Sequence, residues 1–221
     1  MCLKNYIQSS IGRKQIVAVT GLSLILFVAG HLAGNLFFYG GPKAFNAYAQ
    51  KLAHLRPGLY LVEIALAFVF LAHIYFTYTL VMENIQARPQ HYYIQNPKGK
   101  RSLATRLMPF TGTILFAFVI WHLLDFTFID HYGLKSFLAD GKSYGLYGVV
   151  YNAFANVGHS LFYIVAMFCL GFHLYHGVDS VVQTFGWRDE AWVPVLRKVA
   201  FTLSAVVALG FSSIPVYVLL Q

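Results

Sequence analysis

The sequence predicts an all-α integral membrane protein, a single domain over residues 1–221 built as a bundle of five transmembrane helices. Of the 221 residues, 58% are hydrophobic and only 11% are charged, and the apolar residues come in long runs. A helix needs ~20 apolar residues to cross the ~30 Å hydrocarbon core. Five stretches are long enough: 15–39, 59–82, 107–129, 153–183 and 191–219. Strands are disfavoured because the sequence lacks short alternating segments separated by tight turns.

The first span follows a short basic segment, and we expect the mature protein to retain it. Its apolar run is too long for the core of a signal peptide, and a small-residue cleavage site is missing. Cys2 and Cys169 lie far apart in the sequence, so they predict neither a disulfide framework nor a covalent haem attachment motif.

The formal net charge of +8 is better explained by membrane topology than by nucleic-acid binding. If the N-terminus is inside, 11 basic residues lie on inner segments and 5 on outer segments. The inner residues are Lys4, Arg13, Lys14, Arg88, Lys98, Lys100, Arg101, Arg106, Arg188, Arg197 and Lys198, and the outer ones are Lys43, Lys51, Arg56, Lys135 and Lys142. This excess predicts a multi-pass protein of the cytoplasmic membrane, with a cytoplasmic N-terminus and an outer C-terminus.

The connections between spans follow the same orientation. Residues 83–106 contain two prolines and the basic run 98–101, which predicts a cytoplasmic loop whose charge serves topology or the docking of a soluble partner. The outer connection 38–57 predicts a short interfacial helix after a Gly-Gly-Pro turn. Pro109 is tolerable near a helix start, whereas Pro215 is expected to bend or end span five. No internal repeat stands out.

Six of the nine histidines fall within predicted spans, where a polar side chain is costly and is by default a functional candidate. They are His31, His73, His122, His159, His173 and His176. For any single one, a neutral imidazole hydrogen-bonded to a neighbouring helix is an equally good explanation. The set carries more information than its members.

The depths of four of these histidines match in pairs. At ~1.5 Å per helical residue, His31 and His122 both lie ~11 Å below the outer surface, while His73 and His173 both lie ~14 Å from the inner surface. Two imidazoles at one level on different helices are what a haem iron with two axial histidines requires. The spacing therefore predicts two haems, bound through His31 with His122 and through His73 with His173.

Other interpretations compete with this one. A structural zinc site needs about four converging ligands, and proton-relay histidines would not predict equal depths in pairs. His176 lies three residues beyond His173 on nearly the same face, so geometry leaves the ligand on span four ambiguous, although His173 matches the depth of His73 slightly better. If His173 is the ligand, His176 could bind a haem propionate or a water, and a packing role is an equal alternative. His159 lies near the outer level, where a propionate or quinone contact is a hypothesis.

These residues resemble a known family, the dihaem cytochrome b membrane-anchor subunit of succinate dehydrogenases and fumarate reductases, single-chain five-helix type. The resemblance covers essentially the whole chain. Its motifs are the segments 10–14 and 31–35, Phe45-Asn46, Trp121-His122, and Phe172-His173 followed by Trp187. The family resemblance assigns His31 with His122 to the distal haem and His73 with His173 to the proximal haem, and it favours His173 over His176.

The resemblance implies two b haems as cofactors and menaquinone or another quinone as the substrate. It also implies partners on the cytoplasmic side, a flavoprotein carrying FAD and an iron–sulfur protein; a dimer of such heterotrimers stays open. Some menaquinol-oxidising relatives carry a glutamate two residues before the fourth ligand, proposed to conduct protons. This chain has Gly171 there.

Quinol oxidation at the outer end needs a proton acceptor. Glu63 and His54 are the candidates near the outer end of span two, and for Glu63 a helix-start carboxylate favoured by the dipole is an equal alternative. Two functions from other classes stay open: a structural anchor whose haems carry little current, and an unrelated quinone or ferric reductase with bis-histidine haems.

Overall fold

The computed structural model describes residues 3–87 and 103–221. Within them the chain is helical, with no β-strand and a single isolated bridge between Phe137 and Ser143. The described α-helices are α1 (Leu3–Gln8), α2 (Ser10–Asn35), α3 (Gly41–His54), α4 (Gly58–Gln86), α5 (Leu103–Phe126), α6 (Gly145–Ala155), α7 (Val157–Thr184) and α8 (Val193–Leu219).

Five of the described helices, α2, α4, α5, α7 and α8, are long and apolar enough to cross a membrane. Many of their large apolar side chains are exposed, for example Leu61 and Phe68, each 73% exposed on α4. Contiguous exposed apolar surface of this extent is typical of a surface that meets lipid. The predicted all-α fold with five candidate spans is confirmed, and it makes the chain a multi-pass membrane protein.

Several predicted span boundaries differ from the observed helix ends by four or five residues, and spans four and one give the clearest cases. Span four was expected from residue 153, but the helix breaks at Asn156, whose side-chain oxygen accepts a hydrogen bond from the backbone N–H of His159 at 3.0 Å and caps α7. Span one was expected to reach residue 39, but α2 ends at Asn35 and a 3₁₀ turn covers Leu36–Gly40. Pro215 lies inside α8 and does not end it. A short helix does form in the outer connection, as α3.

The bundle is organised around α7, which packs along α8, α5 and α2, while α2 also packs along α4. One core cluster is aromatic and connects the helix ends that the sequence predicts to be outer with α3 and α6, through residues such as Phe38, Phe45, Tyr147 and Tyr163. A smaller cluster of Leu32, Leu174 and Val207 lies between α2, α7 and α8. No residue of α4, all of which is described, is buried, so this helix lies at the edge of the bundle.

Polar contacts fix the ends of the helices. Arg13 on α2 forms an ion pair with Glu83 on α4. In the outer connection, the Asn46 amide donates to the Tyr144 carbonyl at 2.8 Å and accepts from the Tyr147 N–H at 3.1 Å, which ties α3 to the start of α6. The predicted inner loop 83–106 is shorter than expected, because residues 83–86 belong to α4 and 103–106 to α5. Its basic run 98–101, together with Arg88 and His91, lies outside the described residues.

Candidate functional site

His31 on α2 and His122 on α5 meet across the bundle in the predicted outer pair. Their ring centroids are 5.8 Å apart and the two planes are turned 87° to each other. Each ring stacks on a phenylalanine one turn earlier in its own helix, Phe27 at 5.4 Å and Phe118 at 5.8 Å. Nδ1 of His122 is buried and has no hydrogen-bond partner among the described residues.

His73 on α4 and His173 on α7 form the predicted inner pair, with ring centroids 6.4 Å apart and planes at 67°. Nδ1 of His73 lies 3.1 Å from the Thr20 hydroxyl on α2, and Nδ1 of His173 lies 3.4 Å from the Thr111 hydroxyl on α5. Each ring of this pair is therefore held by a hydroxyl from a neighbouring helix.

The threonines also assign the proton on each inner ring. A hydroxyl has one proton to donate, and the Thr20 hydroxyl lies 2.8 Å from the Ile16 carbonyl while the Thr111 hydroxyl lies 3.1 Å from the Met108 carbonyl. With that proton on the backbone, each hydroxyl accepts from the ring, so Nδ1 carries the hydrogen and Nε2 keeps its lone pair. This is the tautomer in which a histidine binds a metal through Nε2 with its second nitrogen oriented by a hydrogen bond.

The two pairs fit a haem with two axial histidines. A metal–imidazole bond of ~2 Å places the ring centroid ~3 Å from the metal, so two axial rings have centroids ~6 Å apart. The observed separations of 5.8 and 6.4 Å match this value. In such a site, all four histidines would serve as axial ligands.

Glycines give the inner rings their room. A Cβ at Gly21 would lie 3.2 Å from Cε1 of His73, and one at Gly112 would lie 3.5 Å from Cε1 of His173. Each glycine directly follows the threonine that binds the same ring. Thr-Gly is thus a small cradle that faces an inner histidine from the adjacent helix.

The two Thr-Gly pairs belong to an internal repeat that was not predicted from the sequence. Thr20-Gly21 precedes His31 with the spacing at which Thr111-Gly112 precedes His122, and Phe27 and Phe118 occupy matching positions. Likewise a phenylalanine five residues before and a tyrosine two residues after accompany both His73 and His173. The pair α2–α4 and the pair α5–α7 are therefore two helical hairpins of similar design, and α8 has no counterpart. The feature of the sequence that could have revealed this repeat is the equal spacing of 11 residues from Thr20 to His31 and from Thr111 to His122.

The remaining predicted site residues lie apart from the two pairs. His176 lies one turn beyond His173 on α7, and the ring that meets His73 is that of His173. His54 is exposed at the end of α3. Glu63 on α4 is half exposed and lies 3.5 Å from Arg56 in an ion pair. His159 begins α7 and stacks on Tyr163 at 4.8 Å, beside Trp121.

Sequence reasoning also missed two polar residues near the outer pair, Asp125 on α5 and Tyr163 on α7. The Tyr163 hydroxyl donates to Oδ2 of Asp125 at 2.7 Å, and Nε2 of His159 lies 3.2 Å from the same oxygen. Asp125 could have been found from the sequence, because it is a carboxylate inside a predicted span, where a charged side chain is a functional candidate.

Gly171 has a structural reason in this chain. A Cβ at this position would lie 3.1 Å from the Cβ of Ala208 and 3.6 Å from the Ser204 carbonyl, because α7 and α8 approach closely here. A longer side chain does not fit without moving α8. The close contact with α8 therefore explains glycine rather than a carboxylate at position 171.

Comparison of the chain with protein-family models, with curated proteins and with solved structures finds no significant match. What the site can do must therefore be argued from the residues of this chain.

Proposed function

We propose that this protein is a membrane-embedded electron-transfer subunit that binds two b haems, one at the outer pair and one at the inner pair. The observation that carries the proposal is the meeting of histidines from different helices in two separate pairs, His31 with His122 and His73 with His173, at the ring separation that bis-histidine ligation requires.

The positions of the pairs along the helices support a transmembrane path. On α2, Thr20 contacts the inner pair and His31 belongs to the outer pair, and 11 residues of helix correspond to ~16 Å. This is about half the ~30 Å thickness of the hydrocarbon core. Two redox centres at these levels would connect one face of the membrane to the other.

The histidines, the threonines and the aromatic side chains would have different roles in binding the haems. The four histidines would hold the haems through their Nε2 lone pairs, and the contacts from Thr20 and Thr111 orient the inner rings for this. Apolar and aromatic side chains around the outer pair, such as Phe27, Phe118 and Phe211, exclude water from it. A b haem supplies a one-electron ferric–ferrous couple when bound.

We further propose the role that the resemblance implies, as the anchor of a succinate:quinone or quinol:fumarate oxidoreductase. Electrons would pass between a quinone, menaquinone in the related type, near the outer pair and an iron–sulfur subunit on the cytoplasmic side, next to a flavoprotein subunit. The chain itself would hold no dicarboxylate site. The segments 10–14 and 31–35 and the pattern at Trp121-His122 support this narrower assignment.

The test is to purify the protein with whatever subunits accompany it and to determine the haem-to-chain ratio together with a redox titration of the visible bands. Two b haems per chain are expected in the wild type and one in His73→Ala. A wild type without haem would overturn the proposal.

Two further readouts separate the proposed role from its competitors. Copurifying flavin and iron–sulfur subunits are expected, and their absence would favour a reductase without soluble partners. His122→Ala is expected to abolish quinone-linked activity while the complex stays assembled. Unchanged activity in that variant would make the chain a structural anchor.

A further inference from the structure

A cavity of about 710 Å³ opens beside the outer pair, between α5, α6, α7 and the connection after α5. Its volume lies in the range of sites that hold a small organic ligand. The lining combines aromatic walls with polar groups, including Trp121, Phe162, Asp125, His159, Lys135 and Asn152. Asn152 donates to the carbonyls of Lys135 and Phe137, both at 2.8 Å, and so fixes one wall.

Two polar groups of the cavity are coupled. Nε2 of His159 lies 3.2 Å from Oδ2 of Asp125, and both side chains are largely buried, with 18% and 19% of their surface exposed. The Tyr163 hydroxyl donates to the same carboxylate oxygen at 2.7 Å and positions it. The contact between His159 and Asp125 has an ion-pair distance without the alignment of a hydrogen bond. It places a carboxylate beside an imidazole, the two side chains most often used in general acid–base catalysis.

The cavity is also close to the outer pair. Trp121, half exposed in its lining, directly precedes His122 in the sequence. Tyr163 stacks on His159 at 4.8 Å and lies 6.2 Å from the His122 ring, so a single side chain separates the polar pair from a proposed axial ligand. A ligand in this cavity would sit where electrons can reach the outer level and protons can reach a carboxylate–imidazole pair.

We propose that this cavity binds the headgroup of a quinone and that His159 with Asp125 exchanges its protons, an inference that rests on the proposed function. The flat headgroup lies against Trp121 and Phe162, and His159 contacts one oxygen of the ring. His159 is the catalytic residue, and Asp125 stabilises its charge. This places the proton acceptor on α5 and α7, away from Glu63, which is ion-paired with Arg56.

The reaction balances with these groups. Oxidation of one quinol breaks two O–H bonds and yields a quinone, two protons and two electrons. The proton of the hydroxyl that contacts His159 passes to its imidazole and from there to water, and the proton of the opposite hydroxyl passes to water directly. The oxidant would be the one-electron acceptor of the proposed function, a b haem held by the outer pair, which would take the two electrons one at a time; quinone reduction is the reverse of these transfers.

A structural alternative explains the same contacts, since the Asp125, His159 and Tyr163 cluster could only join α5 to α7. The two explanations differ in what substitution does. A purely structural cluster affects stability and haem content, whereas a quinone site affects the affinity for a headgroup analogue when stability and haem content are unchanged.

The experiment measures binding of a fluorescent hydroxyquinoline N-oxide, a headgroup analogue whose emission is quenched on binding, to the purified complex. His159→Gln is expected to weaken binding about 10-fold, because the hydrogen bond from the imidazole to the headgroup oxygen is lost. His131→Gln is the matched control, since His131 lies in the outer connection and contacts the Phe126 carbonyl at 2.8 Å. Wild-type affinity in His159→Gln would overturn the inference.

A second pair of variants keeps the test decisive if His159→Gln is unstable. Trp121→Leu removes an aromatic wall at a half-exposed position and is expected to weaken binding; unchanged affinity would contradict the site. Asp125→Asn keeps its contacts but loses its charge, so reduction of the visible bands by a soluble naphthoquinol is expected to slow about 10-fold while binding changes little. Wild-type speed in Asp125→Asn would remove the proton-exchange step.

The binding assay needs no haem, so its failure is distinguishable from failure of the proposed function. A haem-containing wild type that does not quench the analogue contradicts only the quinone site. A wild type without haem contradicts the dihaem proposal, whatever the analogue does.

Discussion

The outer histidine pair joins α2 to α5, the inner pair joins α4 to α7, and the two pairs have different surroundings. Both inner rings have a threonine hydroxyl at Nδ1, from Thr20 and Thr111. The outer rings stack on phenylalanines instead, and Nδ1 of His122 is buried without a partner among the described residues. One pair is oriented by hydrogen bonds and the other by aromatic packing.

Under the proposed function, this difference would give two redox centres with the same ligands but different reduction potentials. A hydrogen bond from Nδ1 makes an imidazole a better electron donor, which favours the oxidised metal. Aromatic packing restrains a ring without changing its basicity in that way and lowers the local dielectric. Side chains that contact the histidines would therefore set the two reduction potentials separately.

The largest effect is expected from removing one ligand of each pair. His73→Ala should remove the inner haem and His31→Ala the outer one, because each variant leaves its site with one of two axial ligands. The measurement is the haem-to-chain ratio with a redox titration, in which a different band should disappear in each variant. His131→Ala serves as the control. Loss of the same band in both variants would mean that the pairs are not independent sites.

A smaller effect is expected from the threonines. Thr20→Val and Thr111→Val remove the acceptor at Nδ1, so the inner potential should rise by up to about 60 mV, the equivalent of a hydrogen bond of ~1.4 kcal/mol. The outer potential should stay unchanged. Spectroelectrochemical titration measures both.

Thr113→Val is the matched control for this series. Thr113 lies on α5 two residues beyond Thr111, is exposed, and donates to the Pro109 carbonyl at 2.9 Å. Its removal should leave both potentials in place. An equal shift in Thr113→Val and Thr111→Val would show that helix α5, rather than the contact with His173, sets the inner potential.

The smallest effect is expected from the glycine cradles. An alanine Cβ at Gly21 would lie 3.2 Å from the His73 ring, tighter than ordinary contact, whereas at Gly112 it would lie 3.5 Å from His173. Gly21→Ala should therefore broaden or shift the inner band slightly, and Gly112→Ala should not. Gly30→Ala, on α2 with open space around it, should behave as the wild type. A reversed order of the first two would contradict the cradle.

Much of the fold and of the histidine pairing was predictable from the sequence, because the length of a hydrophobic run and the rise of a helix are local properties. The five spans and the spatial partners of His31 and His73 follow from counting residues along straight helices. The helix break at Asn156 could not be predicted in this way, because one capping residue inside an apolar run leaves the mean hydropathy almost unchanged. The contact of Asp125 with Tyr163 could not be predicted either, because these residues lie 38 positions apart and meet only through the packing of α5 against α7.

Dividing each ligand pair between the two hairpins has a consequence for biogenesis. The α2–α4 hairpin leaves the ribosome first and carries one histidine for each level, and the other two arrive only with α5 and α7. Under the proposed function, a nascent chain that has inserted only the first hairpin can hold neither haem. Cofactor capture then becomes a checkpoint late in synthesis, which only a chain with both hairpins inserted and docked can pass.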